Sequence, residues 1–236
     1  GNINIDVDDG ALTVNSVVTA AGDGNVTLNA DGATPTTGVV ALNAAVSSTS
    51  GDILITGEIV DQNAGGTVST GDAGAELGTI TVTADNGAIT MADAAGAYSQ
   101  TTSGAINYSA TGNVALNLLT STSGTIDVTA GSGASVAGAI SDNTAAEAAN
   151  LVTTGQVTLT AETGIGVAGA GDIDTTIDTL QATNNTSGDI YLQETNGLTI
   201  NGTGVRTLAG DGNINIDVDD GALTVNSVVT AAGDGN

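Results

Sequence analysis

The chain has no cysteine, histidine, tryptophan or phenylalanine, and among its 236 residues there are only one proline, one methionine and three tyrosines. Without large rings, which normally anchor a globular core by burying wide areas, the interior has to be built from Val, Ile, Leu and Ala. Without Cys no disulfide staples the fold, although this does not fix the redox compartment. Basic residues are nearly missing as well: Arg206 stands alone against 26 acids, a net charge of -25. Phosphate backbones need clustered Lys or Arg, so nucleic acid is excluded as a partner, and anionic membrane surfaces are excluded on the same ground. The charge suits a soluble, self-repelling surface that can collect cations. No run of about 18 apolar residues is present, so no membrane insertion is expected in this segment. The sequence opens at Gly1 rather than Met, and the true start, with any export signal, is expected to lie outside it.

Repetition is abundant. Residues 1–25 recur unchanged at 212–236, an offset of 211, which reads as one repeat unit, 1–211, followed by the first coil of the next identical unit. Inside the unit, a Gly followed by alternating apolar residues recurs at 1, 24, 51, 78, 104, 124, 155 and 188. Aligned on that Gly, the third position is Ile3, Val26, Ile53, Ile80, Ile106, Ile126, Val157 and Ile190, and the fifth is Ile5, Leu28, Ile55, Val82, Tyr108, Val128, Leu159 and Leu192. Alternation with period two is the strand signature. The seventh position is mostly small, Val7 and then Ala or Gly, with Glu194 the exception, and fits a tight corner. A second short strand usually follows, as in 10–14, 38–42, 87–91 and 112–116, and a weaker third segment follows in some coils, as at Val17–Val18 and Ala45–Val46.

One such coil cannot bury its apolar face alone, but stacked coils can. The expected fold is therefore all-β: a right-handed parallel β-helix (β-solenoid) with about eight coils per 211-residue repeat. At about 4.8 Å per coil the unit is about 38 Å long, and residues 212–236 should superpose on 1–25 after that translation plus some twist. Coil lengths of 20 to 33 residues place long inserts at 61–76, 141–154 and 168–187, read as loops. No capping segment is visible, so neighbouring copies of the same repeat, stacked end to end, are expected to cover the open edges.

The motifs GNVTLNA, GTITVTA, GTIDVTA and GQVTLTA, each with its partner strand, resemble the repeat regions of filamentous-haemagglutinin-like and related giant bacterial surface adhesins. The resemblance covers essentially the whole chain. It implies secretion and a long rod at or beyond the outer cell surface of a bacterium.

Chemistry-bearing constellations are sparse. Polysaccharide-cleaving enzymes occur on parallel β-helices, but with no His, Lys or Cys and one Arg, catalysis would fall to carboxylates alone, which would have to converge in pairs. No enzyme is expected and no catalytic or cofactor-binding residue is assigned. IDVDDG at 5–10, repeated at 216–221, spaces Asp6, Asp8 and Asp9 before a Gly, loosely like a calcium loop. These three are the metal candidates, for loosely held Ca²⁺ only, and a solvated strand and turn is the preferred reading. Asp172, Asp174 and Asp178 in GDIDTTID offer no better spacing. An ice-binding ladder would need stacked outward Thr, but the fourth column mixes Asn4, Thr27, Leu54, Thr81, Asn107, Asp127, Thr158 and Tyr191. The expected role is a structural module of a long extracellular fibre or stalk, with lateral rods as further partners. The alternative is an adhesin module that binds a surface ligand through its inserted loops.

Overall fold

The computed structural model describes residues 1–30, 37–71, 78–133 and 137–233. Among these, every helix or strand is a β-strand, and strands of successive coils pair in parallel to form a β-solenoid of about nine turns. Among the described residues no helix is long and apolar enough to cross a membrane.

Three ladders run along the axis. The first contains Ile3–Asp6, Val26–Ala30, Ile53–Gly57, Ile80–Ala84, Ile106–Ala110 and Ile126–Ala130, matched residue for residue. Val26, Ile53, Ile80, Ile106 and Ile126 are at most 1% exposed, as are Leu28, Ile55, Val82 and Val128. β-Branched chains suit such columns because each stacks on a neighbour of similar shape. The second ladder contains Leu12–Val14, Val39–Leu42, Ile59–Gln62, Ile89–Met91, Val114–Leu116 and Ile140–Asp142.

The third ladder is regular in every early coil: Val18–Ala20, Val46–Ser48, Val68–Thr70, Tyr98–Thr101 and Leu118–Ser121. From its second strand on, it ends on a buried hydroxyl that builds the corner. Ser48, Thr70, Thr101, Ser121 and Thr153 donate to the carbonyls of Gly24, Gly51, Gly78, Gly104 and Gly124, one coil away. Four of the five also accept from the N–H of the Gly that follows in the chain: Gly51, Gly104, Gly124 and Gly155. The buried turn is thereby satisfied without water. It is also why Gly opens the coil: a Cβ on Gly104 or Gly124 would lie 1.9 Å from the carbonyl oxygen of the preceding corner. Tyr108, the one ring in the interior, has its hydroxyl between Ser99 Oγ (2.6 Å) and Gln62 Oε1 (2.9 Å), both side chains buried.

The later coils depart from the expected register. The stretch 168–187, read as a loop, holds the strand Ile173–Asn184, a full element of the stack. Val157 therefore pairs with Leu180, not Ile190, and Leu180 pairs with Ile200. Ile190 lies instead on the second ladder, bridging Ile165, which in turn bridges Ile140. The segment that repeats the N-terminus follows Ile190: Ile214 pairs with Ile190 and Ile216 with Leu192. Ile3 and Ile214, identical in sequence context, thus occupy different ladders, and translation along the axis alone does not superpose the two copies; a rotation by one face is also needed. Of the insert 61–76, Val68–Thr70 is a strand and residues 72–77 lie outside the described residues. Of the insert 141–154, read as a loop, residues 143–150 are a loop with no helical turn, while its two ends belong to the strands Ile140–Asp142 and Leu151–Ala161.

Candidate cation site

Asp6, Asp8 and Asp9 all lie exposed in the first coil. Asp6 Oδ1 accepts from Asn29 Nδ2 at 2.9 Å, and Asp9 Oδ1 accepts from Thr37 Oγ1 at 2.9 Å. Separate partners draw these two carboxylates along the coil edge. Among the described residues the acids that gather are others: Glu147, Asp172 and Asp174 each offer a carboxylate oxygen, and these oxygens lie within 4.8 Å of one another. Asp178, from the same stretch as the two aspartates, is exposed and outside the group.

Strand alternation explains half of this arrangement. Ile173 points into the core and is fully buried, so its neighbours Asp172 and Asp174 share the opposite face. The loop of the preceding coil supplies the rest. Asn150, fully buried, donates its N–H to Asp174 O at 2.8 Å and accepts from Asp174 N at 3.0 Å. Its Nδ2 donates to Asp142 Oδ1 at 2.7 Å, and that oxygen also accepts from the Thr144 N–H and hydroxyl. The loop is thus pinned at both ends over Asp174. Glu147 sits at its crown with φ 49°, a left-handed conformation otherwise seen only at glycines among the described residues.

The electrostatics of the group are unbalanced. Asp174 keeps 8% of its surface, and Asp172 Oδ1 and Asp174 Oδ2 are buried with no hydrogen-bond donor. Burial, reinforced by Asp172, Glu147, Asp142 and Asp219, pushes the Asp174 carboxyl up to about 6. Burial also raises Asp172, with Asp142 and Asp217 adding repulsion against an opposing backbone hydrogen bond. Arg206, the only basic side chain, is engaged elsewhere, its Nε donating to Thr183 Oγ1. Asp217 and Asp219 are the repeat equivalents of Asp6 and Asp8. One copy of the IDVDDG motif thus borders this cluster while the other lies beside Asn29, a direct result of the one-face offset.

Glu194 provides a contrast. It is fully buried but seated: Thr175 Oγ1 donates to Oε2 at 2.6 Å, and the N–H groups of Ile177 and Asn196 donate to the carboxylate. The outward fourth column runs from Asp127 to Thr158 and then to Gln181, so it forms no flat Thr ladder. Sequence reasoning did not link Glu147 to the Asp pair. The available signal was their spacing: Glu147 and Asp172 are 25 residues apart, about one coil. No family model, curated protein or solved structure matches the chain.

Proposed function

We propose that this chain is a structural module of a long extracellular fibre or stalk, built from tandem β-solenoid repeats stacked end to end on a bacterial surface and acting mechanically rather than as an enzyme. The observation that carries this reading is a stack of coils paired in parallel whose sequence restarts unchanged after 211 residues. A coil paired in parallel offers the same ladder to its neighbours above and below, so a unit that repeats every 211 residues extends the stack without widening it. The resemblance to filamentous-haemagglutinin-like repeats points the same way. The adhesin alternative loses support at 168–187, where a core strand stands in place of a loop. Chains of one, two and three units, imaged by electron microscopy, should be rods of constant width that lengthen by about 40 Å per unit. Particles that grow in width instead of length would overturn the reading.

A further inference from the structure

We propose that Glu147, Asp172 and Asp174 bind one divalent cation of the calcium class, which clamps the 143–150 loop onto the strand Ile173–Asn184. A cluster of acids would not by itself make a site; the buried, unpartnered carboxylate inside it does. Asp174 is more than nine-tenths buried and its Oδ2 has no donor, nor does the buried Asp172 Oδ1. An ionised oxygen held away from water without a partner is costly, and the chain's only base is bonded on another ladder. A cation is the partner that would balance these groups.

The donor set defines the class of ion. All three ligands are carboxylates, and a chain without His or Cys lacks the nitrogen and sulfur donors that favour zinc or copper. Oxygens within 4.8 Å of one another fit around an ion with bonds of about 2.4 Å, the calcium range, more readily than the tighter octahedron of magnesium. Glu147 is exposed, so water can complete the coordination from that side. Asp142, Asp217 and Asp219 add negative field around the ion. The last two belong to the repeated segment, so in an array one such ion would sit at each junction between units. The site itself does not depend on the array reading, because all three ligands lie within one 211-residue unit.

The test is a calorimetric CaCl2 titration of the EDTA-treated chain, paired with thermal unfolding in EDTA and in Ca²⁺. Saturable binding of one ion and a higher unfolding temperature in Ca²⁺ are expected. Glu147→Gln and Asp174→Asn should each weaken binding on the order of ten-fold or more, while Asp8→Asn should leave it unchanged. In EDTA, Asp174→Asn should unfold no lower than the parent, since it removes an unpaired buried charge. Glu147 is exposed, so its variant tests the site independently of the core. Absence of saturable binding, or unchanged binding in both ligand variants, overturns the proposal. Equal weakening by Asp8→Asn also overturns it, because that result would mean diffuse attraction by net charge.

Discussion

Glu194 stands at a corner position where most coils carry Ala or Gly, and its carboxylate is buried completely. Burial raises its pKa, with the Thr175 hydroxyl and the Asn196 and Ile177 N–H groups opposing the shift and Asp178 adding to it. A group whose folded pKa exceeds its unfolded value contributes stability that is fully present below the unfolded pKa and is lost as pH rises through the folded one. The parent chain should therefore lose stability relative to Glu194→Gln as pH rises from the ordinary carboxylate range through the raised folded value. Thermal unfolding of both across that range checks this, and a constant gap would show that Glu194 does not titrate differently on folding. The sequence alignment marked Glu194 as the odd member of its column but could not explain it. The explanation is that Ile190–Glu194 belongs to the second and third ladders, where Glu194 faces Thr175 rather than a corner alanine.

The strands show which signals a single sequence carries. The first ladder was legible because Ile, Val and Leu alternate behind a Gly that recurs for a steric reason. The third ladder was only partly legible: Val18 and Val46 showed as a weaker third segment, whereas Val68–Thr70 and Tyr98–Thr101 carry few apolar residues and end in hydroxyls that are the buried brace of the corner. Ile173–Asn184 was read as a loop because it has Thr179 opposite the Gly155–Gln156 corner, so alignment on Gly jumped from 155 to 188 across a full turn and one face more. Carboxylates brought together by coil stacking are hidden from linear motifs for the same reason. Gly104→Ala should lower stability by roughly 3 kcal/mol, because the new Cβ meets backbone that cannot give way. Gly1→Ala, with nothing within 4 Å, should change stability by about 0.5 kcal/mol or less. Denaturant unfolding of the two variants distinguishes a steric corner from a flexible hinge.

For the molecule as a whole, continuous parallel pairing should confer resistance to proteolysis. Arg206 is the only trypsin site and it lies in a strand paired on both sides, to Thr183 and Thr230. Of the three tyrosines Tyr108 is buried, so chymotrypsin has few openings. Cleavage requires local unfolding, which doubly paired backbone resists. Native chain should survive trypsin for hours, and a tandem chain cut after heating should give fragments of one repeat length by mass spectrometry. Rapid native digestion by a broad-specificity protease would show that the coils open independently. The one-face offset between Ile3 and Ile214 matters most in a long array. A solenoid that gains a face with every unit carries its surface marks around the shaft like the lay of a rope. A given side would face the same direction only every third unit, about 120 Å along the axis. Two such shafts lying side by side could not share a straight seam. They would touch at regular intervals or twist around each other, and the spacing of those contacts would be set by eight turns and one face rather than by any adhesive patch.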